Sequence, residues 1–394
     1  METIGIVTTW FNRGAAFVSK NFLDALKQDY IVEIYARGGE KYEQDDPMWN
    51  LPNVTWGKRC HNGVPTYIDW RDFKKWIYLK KPKFILFNEQ QSWDIILRLK
   101  RSNIIIGAYI DYYTPTTVPF FNLYDFLICN TKRHMSVFGN HRQAFYFPWG
   151  TNIDLYKPSN LKKDDQITFF HSCGMSPYRK GTDLVITAFT RIKDPNIKLV
   201  IHTQVPLKSF FSDKKQLENK NITVIEKTVI PPGLYQLGDI YLYPSRLDGI
   251  GLTIAEALAS GLPVITSDNG PMNEFVINEW NGYLIKIDHF HRRSDDYYWD
   301  ECECNIDDLQ RIIENIMIKK REIPMLKQNA RKFAENYLDW GKNSRGLLEI
   351  FQKINKMPYD KELLLKVASF EYSKYPQILI KYAEEKAENI IRSI

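Results

Sequence analysis

Residues 239–282 read DIYLYPSRLDGIGLTIAEALASGLPVITSDNGPMNEFVINEWNG, and this stretch decides the fold. Ile240 to Tyr243 is a short apolar run stopped by Pro244, which predicts a strand ending in a loop. The loop, Ser245-Arg246-Leu247-Asp248-Gly249-Ile250-Gly251, holds two glycines, which permit backbone geometry and close approach that a Cβ forbids. From Thr253 the spacing of Ile254, Leu258 and the alanines predicts a helix that ends at Gly261 before Pro263. Val264 to Thr266 predicts the next strand. A loop running into a helix start offers free N–H groups and a positive dipole end, so an anion such as a diphosphate is the expected ligand. Asp248 in the loop and Glu256 on the first helical turn can then face one ligand and accept hydrogen bonds from hydroxyls on either side of the anion. A plainer reading also fits: Thr253 and Glu256 match the S/T-x-x-E capping box, in which Glu256 only satisfies an orphan N–H.

Worked outward, the stretch resembles the signature region of family 4 glycosyltransferases, P-S-x-x-E-G-F-G-L-x-x-x-E-A-x-A-x-G-x-P-V-I with a downstream Glu and N-G. Pro244, Ser245, Gly249, Gly251, Leu252, Glu256, Ala257, Gly261, Pro263, Val264, Ile265, Glu274, Asn281 and Gly282 fall in register. The chain departs at Asp248, where the family usually has Glu, and at Ile250, often Phe. Asp is one methylene shorter, so its reach to a sugar hydroxyl requires a backbone shift.

Composition bounds the answer from another side. A chain of 394 residues exceeds what one hydrophobic core usually organises, which predicts two domains. Apolar content of 44% and charged content of 25% are those of a soluble globular protein, and no apolar run approaches a bilayer span. The acidic second residue, with no basic stretch before an apolar one, argues against a signal peptide. Five cysteines, odd in number and mostly scattered, predict a reducing, cytoplasmic setting. The net charge of +6 suits anionic donors or peripheral contact with a membrane surface, and the dispersed aromatics carry no nucleic-acid signature.

Towards the N-terminus, Thr3 to Thr8 predicts a strand and about Ala16 to Leu26 a helix, joined by W-F-N-R-G-A-A. This unit resembles the family's first strand–loop–helix, whose G-G pair abuts the donor diphosphate or acceptor; here only Gly14 is kept, with Ala15 second. A packing glycine in a Rossmann-like turn is the plainer reading. Further strands are expected at Ile31 to Tyr35, Phe84 to Phe87, Ile104 to Tyr109 and Leu127 to Asn130, with an unassigned Trp-containing region between the first two. Where many relatives read T-x-H-D, this chain has Ile110 and then Asp111, which leaves Asp111 as the nearest titratable candidate or a plain strand-end carboxylate.

Phe147-Pro148-Trp149-Gly150-Thr151-Asn152-Ile153-Asp154 resembles the family's P-N-G-V-D crossing, so domains are expected at 1–150 (acceptor side), 151–354 (donor side) and 355–394 (a helical extension). S-C-G-M-S-P-Y-R-K-G-T-D, residues 172–183, resembles the G-R-x-x-x-x-K-G loop: Lys180-Gly181 match, Met175 replaces the usual Arg, and Arg179 supplies a guanidinium four residues later. Fixed cations beside a helix start suit a diphosphate leaving group; a solvated basic turn is the plainer reading. Lys227-Thr228 lead into the loop that contacts the base in relatives, interrupted here by Pro231-Pro232-Gly233. The inserted residues around His289, His291, Cys302 and Cys304 invite a zinc reading, but H-x-H and C-x-C lack the usual C-x₂₋₄-C spacing, so no metal is expected. In the extension, Leu363, Leu364, Val367, Ile378 and Tyr382 form an apolar helical stripe expected to pack back on the chain.

The resemblance implies an α/β protein of GT-B fold: two Rossmann-like domains facing a cleft, with extra C-terminal helices. It implies a retaining, metal-independent glycosyltransferase without a cofactor, moving a sugar from a nucleotide sugar, UDP- or GDP-linked, to a glycan, lipid-linked or small-molecule acceptor. Lys180 and Arg179 would hold the diphosphate, Gly249, Ile250, Gly251, Leu252 and Thr253 the phosphate and sugar, Asp248 the sugar hydroxyls, and Glu256 the ribose diol. Gly14, Thr228 and Asp111 complete the expected set. Two rivals stand beside it: a degenerate GT-B scaffold subunit, favoured by the weakened N-terminal motifs, and a glycosidase or phosphorylase using Asp248 and Glu256.

Overall fold

The computed structural model describes residues 1–59, 66–159, 165–210 and 217–373. The apolar positions expected at Ile378 and Tyr382 lie outside them. The chain forms two compact units. Unit 1 comprises Met1–Asn130, His134–Phe147 and the chain from Ser344 onward; unit 2 comprises Thr131–Arg133 and Pro148–Asn343.

Unit 1 is built on β1 (Thr3–Thr8), β2 (Ile31–Ala36), β3 (Val54–Trp56), β4 (Phe84–Asn88), β5 (Ile105–Tyr109), β6 (Phe126–Cys129) and β7 (Ala144–Tyr146). They pair in the order β3-β2-β1-β4-β5-β6-β7, every pair parallel. Strands of a parallel sheet are covered on both faces, so they read as unbroken apolar runs; β4 and β5 are buried at every position. The helices α1 (Gly14–Leu26), α2 (Trp70–Lys80), α3 (Asp94–Lys100) and most of α4 (Lys132–Phe138) connect them. α2 and β3 fill the region left unassigned by sequence. Asp69 caps α2 by accepting from the Asp72 amide, and only Phe73 and Trp76 of that charged helix are buried.

Unit 2 repeats the plan with β8 (Ile167–Gly174), β9 (Ile197–Thr203), β10 (Ile222–Glu226), β11 (Ile240–Tyr243), β12 (Val264–Ser267) and β13 (Gly282–Ile285) in the order β10-β9-β8-β11-β12-β13, again all parallel. α5 (Thr182–Arg191), α6 (Leu252–Ala259), α7 (Ile306–Ile318), α8 (Ile323–Tyr337) and α9 (Trp340–Asn343) accompany them. The insertion after β13 is an antiparallel hairpin, β14 (Ile287–His291) and β15 (Glu301–Cys304). In each sheet the strand order reverses beside the first strand, between β1 and β4 and between β8 and β11, and such a switch point opens a crevice at the strand C-terminal ends.

The C-terminal helices correct the expected partition. α10 (Arg345–Lys353) and α11 (Lys361–Tyr372) group with unit 1, so residues 344–354 do not belong with the second domain, and among the described residues those after 354 do not stand apart as a body of their own. α11 buries Leu364, Val367 and Ala368; Ser92 Oγ donates to Glu371 at 2.9 Å and the Tyr372 hydroxyl to Asp94 at 2.8 Å. Ahead of it, Lys356 joins the buried Lys100–Asp125 pair, its ammonium 3.1 Å from Asp125 and 2.6 Å from the Ile104 carbonyl. A buried carboxylate with two cations and the Ile106 and Met357 amides is fully partnered, which is what makes its burial tolerable.

Candidate active site

The loops after β8 and β11 flank the unit 2 switch point, and the sequence zips them together. Gly181 is the N-cap of α5 with φ +71, and a Cβ there would stand 2.1 Å from the Pro244 carbonyl oxygen, so both backbone and space demand glycine. The Arg246 amide donates to the Arg179 carbonyl at 2.8 Å and Ser245 Oγ to the same oxygen at 3.2 Å. Lys180 is thereby aimed across the crevice: its ammonium donates to Asp248 Oδ2 at 2.5 Å, with both side chains about one-seventh exposed (13% and 15%). The Tyr243 hydroxyl also donates to Asp248 Oδ2 and accepts from Lys180, and the Gly249 amide donates to Asp248 Oδ1 at 2.8 Å. Burial would raise the Asp248 pKa, but the Lys180 and Arg179 cations and these hydrogen bonds hold it well below the usual carboxylate range. The same burial, helped by Arg179, lowers the Lys180 pKa, against which the Asp248 carboxylate works.

Gly249, Ile250, Gly251, Leu252 and Thr253 run directly from this pair into α6. Gly251, at φ +87, is the N-cap, and no side chain caps the helix start, so its first amides and dipole face the crevice open to an anion. This corrects the capping-box reading. The helix begins at Leu252, which makes Thr253 the second helical residue and Glu256 the fifth, too late for a box. Glu256 instead accepts from the hydroxyls of Tyr156 at 3.0 Å and Tyr235 at 2.5 Å. Burial raises its pKa, and the two tyrosines oppose that rise. A carboxylate has about four acceptor directions, so the pair leaves room for a further donor. Thr228 is exposed just after β10.

Arg246 is a functional neighbour that sequence reasoning passed over. It is 2% exposed, donates to both oxygens of Asp183 (2.8 and 2.7 Å) and of Glu303 (2.6 and 2.7 Å), and stacks 4.0 Å from the Tyr178 ring. Burial disfavours its charge and the two carboxylates restore it. Glu303 lies on β15, so this arginine staples the inserted hairpin to the Asp248 loop; the neighbouring Cys302 amide donates to the Arg246 carbonyl at 3.0 Å. The partners lie 57 and 63 residues apart, which no local pattern reveals. Cys302 and Cys304 are buried behind the loop, while His289 lies exposed on β14. Among the described residues no group of three or more His, Cys, Asp or Glu side chains is arranged to hold a metal ion.

Gly14 and Asp111 belong to unit 1. Gly14 opens α1; a Cβ there would meet nothing within 4 Å and its φ is not positive, so a packing role does not explain it. Asp111 follows β5, half-buried. Across the unit 1 switch point, Arg13 pairs with Glu89 at 3.1 Å, and Asn88 donates to the Ala15 carbonyl and to Ser19 Oγ, each at 2.9 Å.

Residues 152–333 match the family model described as Glycosyl transferases group 1. An uncharacterized glycosyltransferase of Methanocaldococcus jannaschii is 28% identical over 142 residues, 35% of this chain and 36% of that one. The lipopolysaccharide core biosynthesis mannosyltransferase LpsB of Rhizobium meliloti is 31% identical over 140 residues, 32% of this chain and 40% of its own. The chain thus spans about two fifths of the length of these curated relatives. The solved structure of HepE from Anabaena, in complex with UDP and glucose, superposes with a TM-score of 0.67 at 15% identity, covering 90% of this chain and 100% of that one. The chain has the GT-B fold, resembles the family 4 glycosyltransferases, and over residues 152–333 is similar to the Glycosyl transferases group 1 family.

Proposed function

We propose that this protein transfers a sugar from a nucleotide sugar to a hydroxyl acceptor with retention of anomeric configuration. The observation that carries the reading is the Lys180–Asp248 pair beside the uncapped start of α6. Lys180, with Arg179, meets the diphosphate as charge develops on its leaving oxygen, and the amides of Leu252 and Thr253 meet the remaining phosphate oxygens. Asp248, ionised, accepts from the sugar hydroxyls and opposes the positive charge that grows on the ring; Tyr243 fixes its orientation. Glu256, oriented by Tyr156 and Tyr235, accepts from the ribose diol. Thr228 lies beside the base. With its leaving charge met by fixed cations, the donor needs no divalent ion, and with the acceptor attacking the face from which the diphosphate departs, no enzyme nucleophile is needed. Unit 1, with Gly14 and Asp111, takes the acceptor. A uridine diphosphate donor is supported by HepE, crystallised with UDP and glucose. No helix among the described residues is long and apolar enough to cross a membrane, which accords with action in the cytoplasm on a glycan or lipid-linked acceptor reached at a membrane surface.

The opposite pKa directions of Asp248 and Glu256 are also the pattern of a glycosidase acid–nucleophile pair. Against that, the Lys180 ammonium already occupies Asp248, and tyrosine hydroxyls occupy both Glu256 oxygens. Incubating the full chain with UDP- and GDP-sugars and an acceptor panel separates the readings. Transfer or slow donor hydrolysis that is lost in Lys180→Ala supports the transferase; release of sugar from aryl glycosides without a nucleotide supports the glycosidase; neither, with no nucleotide binding, leaves a scaffold.

A further inference from the structure

Unit 2 has a second concavity at the far end of α6. Eight helical residues at 1.5 Å each put the end of α6 about 12 Å from its start, towards the strand N-terminal ends and away from the Asp248 loop. There a cavity of about 490 Å³ lies between the end of α6, the turn carrying Tyr235 and Gln236, and one face of α8. That is within the ~300–1,000 Å³ of small-molecule sites.

The lining defines what could fill it. Its cations are mostly committed: Lys327 is paired with Asp239 at 2.6 Å, and Arg331 pairs with Glu335 at 2.7 Å while donating to the carbonyls of Ile153, Tyr156 and Ala259. The α6 C-terminus adds the negative end of a helix dipole, which disfavours an anion. Lys332, exposed at the rim, is the one lining cation with no ion pair among the described residues; the other uncommitted groups are neutral. Ser260 is only 8% exposed, yet its hydroxyl has no hydrogen-bond partner among the described residues, and the same holds for the side-chain amides of Gln236 and Gln328. Facing them are the Tyr235 ring and Leu262, both buried. A wall of hydroxyl and amide groups, each able to donate and accept, opposite an aromatic and an aliphatic wall fits a molecule with a hydroxyl edge and a C–H face.

We infer that this cavity is a second saccharide site, distinct from the one at Asp248, taking a neutral mono- or disaccharide. It is wired to the first. Tyr235 lines the cavity and donates to Glu256 Oε2; Arg331 holds the carbonyl of Tyr156, whose hydroxyl donates to Glu256 Oε1. A sugar that presses on Tyr235 alters how Glu256 is held, so occupancy changes nucleotide affinity, and nucleotide changes sugar affinity by the same factor. The site itself stands independently of the proposed transferase activity; only the coupling rests on that reading.

The test uses the full chain with glucose, galactose, mannose and maltose as probes in saturation-transfer NMR and calorimetry, with and without UDP, and with inorganic phosphate as the rival ligand. The expected result is saturable binding of at least one sugar that persists under saturating UDP and weakens at least tenfold in Gln328→Trp, which fills the cavity from an exposed helix face. Gln236→Ala, which removes a hydrogen-bonding group without adding bulk, should weaken it in the same direction should the tryptophan disturb folding. Sugar binding should shift the UDP dissociation constant, and Tyr235→Phe should abolish that shift while sugar still binds. No saturable sugar binding, displacement of the sugar by UDP, indifference to both cavity variants, or phosphate binding in place of sugar would each overturn the site. A UDP affinity unmoved by saturating sugar would overturn the coupling. Should UDP itself fail to bind, the nucleotide-free sugar measurements still decide the site.

Discussion

The two switch points, β1–β4 in unit 1 and β8–β11 in unit 2, share one strand order and each set a basic residue from the first loop against an acidic one from the second. Arg13 meets Glu89 at 3.1 Å in unit 1, and Lys180 meets Asp248 at 2.5 Å in unit 2. They differ in what surrounds the pair. Arg13 is 48% exposed, whereas Lys180 is 13% exposed and shares its acceptor with Tyr243. An open ion pair is screened by water and contributes little. A buried one is held by its neighbours and leaves a costly bare charge when broken. The same topology therefore yields a malleable crevice in one unit and a preset electrostatic one in the other, as expected if unit 1 meets varied acceptors and unit 2 a fixed diphosphate.

Removing the cation from each pair tests this most severely. Lys180→Ala should lower turnover at least about 100-fold and, with Asp248 left buried without its ion-pair partner, destabilise unit 2 by about 3 kcal/mol. Arg13→Ala should cost under about 1 kcal/mol. Transfer assays and urea unfolding check both, and equal losses in the two variants would erase the distinction. The first glycines of the two crevices should diverge next. Gly181→Ala forces a side chain into a left-handed backbone against the Pro244 carbonyl, a loss of about 1–3 kcal/mol from strain before any clash. Gly14→Ala meets open space and should gain roughly 0.5 kcal/mol of helix stability, so any loss of activity there reports ligand contact.

Legibility in the sequence follows the same division between local and distant. β1 and β11 are found at the expected residues, and β2, β4, β5, β6 and β12 within one residue of expectation, because parallel strands are continuous apolar runs and need no partner to be recognised; the short β7 and β13 were not anticipated. β3 and α2 stayed hidden, the one because it is three residues long and half-buried, the other because two buried aromatics among arginines and lysines make no clear stripe. The Lys180-Gly181 and Asp248 loops were readable as contiguous motifs. Their closest supports were not: Tyr156 and Tyr235 reach Glu256 from 100 and 21 residues away, and Arg246 finds Asp183 and Glu303 across loops. The N-cap lies two residues earlier than the capping-box reading places it, at left-handed Gly251 rather than Thr253, and that shift converts Glu256 from a cap into a buried carboxylate held by tyrosines.

Asp248 sharpens the comparison through pH. Its folded pKa lies below the unfolded value near 4, so the stability it contributes is fully present above about pH 4 and is lost as pH falls through the folded pKa in strong acid. Asp248→Asn should therefore be less stable than the parent from pH 5 to 8, with the gap closing only in strongly acidic solution. Because contacts to the sugar tighten as positive charge develops, the same change should lower kcat by roughly 10–100-fold and leave the donor KM nearly unchanged. A rise in KM at constant kcat would make Asp248 a ground-state binding group.

Glu256 should behave in the opposite sense, and it separates binding from packing most finely. Its folded pKa is raised by burial, so the folded state holds the proton more tightly than the unfolded chain and stability falls as pH rises through that range. Glu256→Gln removes the buried charge while keeping an oxygen to accept from one tyrosine and an amide to donate to the other. The variant should therefore match or exceed the parent in stability at pH 7–8, with the advantage shrinking towards pH 4. If the carboxylate accepts from a ribose diol, the same exchange of a charged acceptor for a neutral one should weaken donor affinity by about 1–2 kcal/mol, seen as a raised KM with kcat little changed. A stabilised protein with poorer donor binding is what a ligand-facing carboxylate produces. A destabilised protein with unaltered donor KM would mean that Tyr156, Tyr235 and Glu256 form a packing cluster, and the ribose would need another partner.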